Sequence, residues 1–284
     1  MDPDHQFIYS LIEHLVKEEK ERESQTRILT ESLGLKERDV ICLVGAGGKT
    51  TLMFRLANEL LLSGKKVVTT TTTKIREPTS RETSSFFVHS EGEKIMEYVQ
   101  RHLDRYHHIT VAGERLEEGK VKGISPGLVL DLWELPIVDY LIVEADGAAG
   151  RPVKAPRDHE PVIPSNTTLV AAVLGIDGVD AELNEGNVFQ PERVSRLTGI
   201  PLGGRLNAEA MAILMTHPEG IFKGTPGSAR VVAFLNKVDL SKGLAKAEGV
   251  AVRILEKRHP QIERVVLGQL RSDPPVVKVI FLPS

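Results

Sequence analysis

An α/β fold with a largely parallel sheet flanked by helices is what this sequence predicts, and three observations predict it. Short, nearly all-apolar runs at residues 40–44, 138–143, 168–174 and 230–235 read as strands buried on both faces. Helical stripes lie between them, as crossovers between parallel strands require. Polar or glycine-rich residues follow the strand ends, where open parallel sheets collect their ligand-binding groups.

Residues 1–39 read as an N-terminal helical extension. Phe7, Ile8, Leu11, Ile12, Leu15 and Val16 form an apolar stripe, followed by a charged run at 17–23 that suits a solvated helix end. The main domain is expected over 40–284. It opens with Val40-Ile41-Cys42-Leu43-Val44 as a buried strand and Gly45-Ala46-Gly47-Gly48-Lys49-Thr50-Thr51 as a tight loop. Leu52, Met53, Leu56, Ala57, Leu60 and Leu61 then place one stripe on a helix ending near Ser63-Gly64.

That strand, loop and helix form a phosphate cradle. Glycines let successive N–H groups converge on one anion, and a helix N-terminus adds unpaired donors and the positive end of its dipole. Lys49 at the loop tip contributes charge and little packing, and the Thr50 hydroxyl is placed for magnesium. The usual G-x-x-x-x-G-K-[ST] spacing would need glycine at Leu43; here Gly45 lies four residues before Lys49, so the loop is short.

Residues 66–68 begin a second strand that runs into Thr69 to Thr73, and the hydroxyls of Thr72 and Thr73 are expected near phosphate or metal-bound water. A loop at 76–85 leads to a strand at 86–88, a helix at 91–103 and a strand at 109–111. His102, His107 and His108 lack ligand spacing and read as solvent-exposed. Ser125-Pro126-Gly127 opens a helix that ends before Pro136.

The strand at 138–143 ends in Glu144-Ala145-Asp146-Gly147. Carboxylates at the tip of an apolar strand downstream of a phosphate loop can hold magnesium, and alternation puts Glu144 and Asp146 on one side of an extended chain. Either can be the ligand. The proline-rich stretch 147–165 carries Lys154, His159 and Glu160, groups able to grip an anionic substrate, move a proton, or form a salt-bridged lid. After the strand at 168–174 come short helices at 192–197 and 208–215 and the strand at 230–235. The run Asn236-Lys237-Val238-Asp239 follows directly. It resembles a guanine-reading loop, although Asn-Lys-x-Asp can also cap the helix expected at 241–258. A strand at 265–267 and an edge strand or hairpin arm at 276–281 complete the chain.

Composition excludes several classes. A net charge of −3 with 26% charged residues offers no basic field for nucleic acid. No apolar run approaches ~18 residues, and Asp2 and Asp4 stand where a secretory signal would be basic, so no membrane partner and a cytoplasmic location are expected. Cys42, the one cysteine, reads as a small core residue.

Taken together, Gly45 to Thr51, Thr70-Thr71-Thr72-Thr73-Lys74-Ile75, Glu144 to Gly150, Lys154-Ala155-Pro156, His159-Glu160-Pro161-Val162-Ile163-Pro164 and Leu235-Asn236-Lys237-x-Asp239 resemble the selenium-dependent hydroxylase accessory proteins, the selenium cofactor biosynthesis proteins of the YqeC family. The resemblance spans roughly residues 38–240. One departure is at 189, where that family is expected to show His-Arg-Pro-Glu and this chain has Phe189-Gln190-Pro191-Glu192.

The resemblance implies a part in maturing selenium-dependent molybdenum hydroxylases. The implied partners are a nucleotide, a selenium or molybdenum cofactor intermediate, and a molybdenum hydroxylase or its maturation proteins. The combined expectation is a P-loop NTPase-like protein acting as an NTP hydrolase or NTP-dependent transferase with Mg2+, GTP being favoured slightly over ATP. Gly45, Ala46, Gly47, Gly48, Lys49, Thr50, Thr51, Thr72, Thr73, Asn236, Lys237 and Asp239 would bind nucleotide. Thr50, Glu144 and Asp146 would hold the metal, with Lys49, Glu144, Asp146, Lys154, His159 and Glu160 carrying chemistry. Two alternatives stand beside it: a nucleotide-switch chaperone without small-molecule chemistry, and an acyl-phosphate ligase of the Mur-like kind, to whose G-x-x-G-K-T-T loops the shortened loop is similar. The oligomeric state is left open.

Overall fold

In the computed structural model residues 28–281 are described. The helical extension expected at 1–39 therefore lies outside the described residues except at its end. There a one-turn helix, α1 (Leu29–Ser32), is tied down by Glu59, whose carboxylate accepts from the N–H groups of Leu29 and Thr30 at 2.9 and 2.8 Å.

The elements that follow are β1 (Asp39–Gly45), α2 (Lys49–Leu62), β2 (Val67–Thr71), β3 (Lys74–Arg76), β4 (Phe86–Val88), α3 (Gly92–Tyr106), β5 (His108–Ala112), β6 (Glu114–Leu116), β7 (Lys120–Lys122), α4 (Pro126–Glu134), β8 (Tyr140–Glu144) and β9 (Val153–Lys154). Beyond them run β10 (Leu169–Gly175), a 3-10 turn (Ile176–Gly178), β11 (Val188–Phe189), α5 (Pro191–Thr198), α6 (Ala208–Thr216), β12 (Arg230–Asn236), α7 (Gly243–Glu256), β13 (Ile262–Gly268) and β14 (Val276–Phe281).

Among the described residues, nine strands form one sheet in the order β14-β13-β12-β10-β1-β8-β2-β5-β4. All neighbours are parallel except the antiparallel edge pair β13 and β14. Alternation along β1 decides which helix covers which face. Ile41 and Leu43 pack with Leu52, Leu56 and Leu60 of α2. Cys42 and Val44 look the other way, toward Met211 and Leu214 of α6 and Val250 and Ile254 of α7. Farther along the sheet, Leu141 and Val143 meet Val99 of α3 and Leu132 of α4.

The result is a P-loop NTPase-like fold with helices on both faces. β1 lies at its centre, and the chain visits one side of it through β8, β2, β5 and β4 before crossing to β10, β12 and β13 on the other. That reversal opens a crevice at the carboxyl ends of the central strands.

Two features depart from the sequence expectations. His108 is not solvent-exposed: it begins β5, is 2% exposed, and its Nε2 lies 3.0 Å from Thr69 Oγ1. Burial lowers its pKa from 6.5 to about 4. Neither His102 nor His107 shares this burial. The second is a three-stranded antiparallel sheet, β3-β7-β6, unannounced by periodicity because its strands are only three residues long. The threonines of β2 fit a fully buried strand because each hydroxyl finds a partner: Thr110 for Thr69, and the carbonyls of Val111 and Glu144 for Thr70 and Thr71.

Candidate functional site

The loop between β1 and α2 turns under close backbone contact. Gly47 has φ +83°, and a Cβ there would come within 2.3 Å of the backbone nitrogen of Gly175; Gly48, at φ +145°, would meet Asn236 Nδ2 at 2.3 Å. Only glycine fits both positions. No side chain caps the N-terminus of α2, so its first N–H groups are left for a ligand.

Lys49, expected to contribute charge and little packing at the loop tip, is turned inward. It is 4% exposed, its Nζ donates to the Gly45 carbonyl at 2.7 Å, and it lies 3.3 Å from Asp146 Oδ1 and 3.6 Å from Glu144 Oε1. Burial works against its charge, yet Asp146 and Glu144 outweigh that and raise its pKa. The lysine turns back over its own loop, where it offsets the two acids at the tip of β8.

Glu144 and Asp146 both reach Lys49, as their alternation predicts, but they are not equivalent. Asp146 is fully buried and is held by protein on every side: both oxygens accept from Gly45 N–H at 3.1 Å, and Lys154 Nζ lies 2.8 Å from Oδ2. Glu144 accepts the Thr50 hydroxyl at 2.8 Å and faces the cavity in front of the loop. Burial holds its carboxyl above the ordinary value, against the pull of Lys49 and the Thr50 hydroxyl.

Lys154 is completely buried and does not project toward a substrate. It donates to the Gly147 carbonyl at 2.6 Å and to Glu160 Oε2 at 3.0 Å. Burial would raise the Glu160 carboxyl, but Lys154, with the Arg157 N–H and guanidinium, brings it below the ordinary value. His159, by contrast, is exposed. One buried chain of charge thus runs Glu160, Lys154, Asp146, Lys49, Glu144. Its three acids face two lysines.

Two cavities open at this end of the sheet. The first, about 690 Å3, is lined by Gly47 to Thr51, Glu144, Asn236, Lys237 and Asp239 among others. A larger one, about 1860 Å3, lies beside it over the ends of β2 and β7. Thr72 and Thr73, expected near phosphate or metal-bound water, line the larger cavity and not the phosphate-loop one. The Thr72 hydroxyl donates to the Val162 carbonyl at 2.8 Å, and the Thr73 N–H donates to Thr71 Oγ1 at 3.0 Å.

The Asn-Lys-x-Asp run does not cap a helix. α7 begins two residues later than expected, after Lys242, with no side-chain cap. Asn236 instead braces the phosphate loop: its Nδ2 donates to the Gly47 carbonyl at 2.8 Å, and its Oδ1 accepts from Leu270 N–H at 3.1 Å. Lys237 pairs with Asp177 at 2.6 Å. Asp239 is exposed at the cavity wall. Sequence reasoning missed Asp177, Leu270 and Arg271, which line the same cavity from other strand ends; no local pattern marks them.

Among the described residues no helix is long and apolar enough to cross a membrane, and no cluster of three or more His, Cys, Asp or Glu side chains is arranged to hold a metal on its own. A magnesium bound here would need ligand oxygens from a nucleotide as well, as is usual for this ion.

The family model for the YqeC protein matches residues 41–192. The uncharacterized protein YqeC of Escherichia coli (strain K12) is 32% identical over 247 residues, covering 87% of this chain and 93% of the relative. Among solved structures, chloroplast FtsY from Physcomitrella patens aligns with a TM-score of 0.43 and 16% identity, covering 94% of this chain and 68% of that one. The signal recognition particle receptor FtsY from Elizabethkingia anophelis gives 0.37 and 14%, covering 95% and 77%. Both scores are too low to carry an argument, so the fold assignment rests on the strand order, the phosphate loop and the helix that follows it, together a nucleotide-binding architecture.

Proposed function

This chain belongs to the YqeC family, and on that premise we propose that it binds a Mg2+–nucleoside triphosphate at the β1–α2 loop and uses it in an NTP-dependent hydrolysis or transfer step. The observation that carries the reading is the charge imbalance at the tip of β8. Three buried acids share two lysines, and the Thr50 hydroxyl and Glu144 carboxylate meet at 2.8 Å beside uncapped helix N–H groups. An excess of buried negative charge is costly, and a divalent cation lowers that cost.

In this reading Thr50 and Glu144 hold the magnesium, and Asp146, already satisfied by Gly45 and Lys154, fixes the loop. When bound, the ion would neutralise charge on the β- and γ-phosphates. Lys49 exchanges its carboxylate partners for phosphate oxygens, and Lys154 remains to balance Asp146. The N–H groups at 46–51 line the phosphates, and Asn236 keeps the loop in its turn. Asp239 faces the base and accepts from guanine N1–H and its exocyclic amine, donors that adenine lacks there, which favours GTP over ATP.

The motifs shared with selenium-dependent hydroxylase accessory proteins support placing the reaction in maturation of selenium-dependent molybdenum hydroxylases, on a selenium or molybdenum cofactor intermediate or with the hydroxylase's maturation proteins.

Calorimetric titration of Mg-GTP and Mg-ATP tests the nucleotide site. Wild type should bind, and Lys49→Met should weaken binding on the order of 10- to 100-fold. Unchanged affinity in Lys49→Met would refute the phosphate-loop reading. Glu144→Gln should remove the magnesium dependence of binding while Asp146→Asn retains it.

A further inference from the structure

The residues expected to grip a substrate, Lys154 and Glu160, are spent on each other inside the protein, yet the large cavity beside the nucleotide cavity has its own cationic groups. Asp158 and Glu160 anchor their loop, pairing with Arg193 at 2.7 Å and Lys154 at 3.0 Å. The residues between and before them, His159 and Arg157, line the large cavity. Arg157 lies over the Phe189 ring, its guanidinium carbon 4.9 Å from the centroid, and that ring also backs Lys154 Nζ at 5.3 Å. No guanidinium N–H of Arg157 has an acceptor among the described residues. An exposed guanidinium resting over an aromatic ring with its donors unused is available to an oxyanion.

Lys74 supplies a second charge from a separate element, β3, where its backbone pairs with β7 while its ammonium has no ion-pair or hydrogen-bond partner among the described residues. It lines both cavities, as do Lys120, Gly147 and Ala149, so the two spaces meet just beyond the Glu144–Asp146 tip of β8. Of the cavity's carboxylates, Glu93, Glu97, Asp131 and Glu134 sit on α3 and α4, whereas the two on the cationic side are already paired, Glu114 with Lys122 at 3.8 Å and Glu160 with Lys154 at 3.0 Å. A ligand with one anionic end therefore has one matching wall.

We propose that the large cavity is the site of the second substrate, a small molecule whose phosphate or carboxylate group is seated by the Phe189-stacked Arg157 together with Lys74 and His159, next to the phosphates of the nucleotide. The assignment rests on the nucleotide reading of the β1–α2 loop. It also gives a use to Phe189, the position where the sequence departs from the expected His-Arg-Pro-Glu: the aromatic ring aligns a neighbouring arginine in place of contributing a charge.

The test loads the full chain with a non-hydrolysable triphosphate and Mg2+, then titrates it separately with inorganic phosphate and with citrate in a calorimeter, so that the two sources of oxyanion are distinguished. One of the two should bind at one site per loaded chain. Arg157→Ala should weaken that binding roughly tenfold or more, Arg157→Lys should fall between, and triphosphate affinity should stay within about twofold in both variants. The same titrations on Lys49→Met protein read the Arg157 dependence without competition from the phosphate loop, whatever the nucleotide does. Failure of the triphosphate to bind wild type refutes the nucleotide reading. Normal triphosphate binding with neither anion bound, or with Arg157→Ala unchanged, overturns this inference alone.

Discussion

Charged groups are buried at both ends of the central strands, and the two ends solve the problem differently. At the amino end, fully buried Asp39 accepts from Lys36 N–H at 2.7 Å, from the Thr168 hydroxyl at 2.6 Å and from Arg230 Nη2 at 2.8 and 2.9 Å. One acid meets one cation, and every lone pair is used. The carboxyl end buries Glu144, Asp146 and Glu160 against Lys49 and Lys154, and leaves a surplus negative charge next to a cavity. Burial of ions is therefore no mark of a site by itself. Mismatch is the informative feature: the Asp39–Arg230 pair is matched one to one, whereas at the carboxyl end three acids share two lysines.

The largest expected effect is on stability. Removing Lys154 as Lys154→Met leaves two buried acids short of a partner and should cost about 3 to 5 kcal/mol in urea unfolding. Arg230→Met should cost a similar amount at the amino end. The comparison sharpens when the acid is also removed. Asp39→Asn should recover most of the loss in the Arg230 variant, while Asp146→Asn should recover only part of the loss in the Lys154 variant, because Glu160 remains. Equal recovery at both ends would break the distinction.

Acid titration should separate the ends by sign. His108 stands at the amino end of β5, where its folded pKa of about 4 lies below the ordinary 6.5. The unfolded chain takes the proton first, so this contribution is full above about pH 6.5 and is lost as pH falls toward 4, a change of about 3 kcal/mol. Glu144 has the opposite sign: its folded pKa is raised, so the native state takes the proton first and acidification relieves it. Stability profiles of His108→Gln and Glu144→Gln against wild type should therefore diverge below pH 6.5. The Glu144→Gln advantage should be largest at neutral pH and shrink on acidification. Parallel profiles would show that the two groups share one kind of environment.

The smallest effect concerns the base. Asp239 is exposed, so its preference for guanine should be at the low end, about 1 to 2 kcal/mol, or roughly tenfold. Competition among GTP, ATP and XTP should show wild type preferring GTP and Asp239→Asn shifting toward XTP, whose O2 accepts from the new amide. A wild-type preference for ATP would refute this reading without touching the phosphate site.

The sequence by itself determined the parts whose signal is local. A strand of apolar residues, glycines, Lys-Thr and an amphipathic helix lie contiguously from 40 to 61, and the loop's chemistry follows from backbone geometry within that span. The acids at 144 and 146 were legible for the same reason, since they directly follow a short apolar run that reads as a buried strand. What a side chain touches across the sheet was not legible. Whether Lys49 points outward or folds back, which acid is already satisfied, and that Lys154 is interior all depend on strand order, which joins β8 to β1 across about a hundred residues of sequence. The buried His108 was missed because its partner, Thr69, is on another strand. The β3-β7-β6 sheet, whose Lys74 and Lys120 line both cavities, consists of strands too short for periodicity to reveal. Tertiary structure alone turned five scattered charges into one chain in which three acids share two lysines. The energy of a buried charge depends on every group that surrounds it in space, and residue order specifies only its neighbours along the chain.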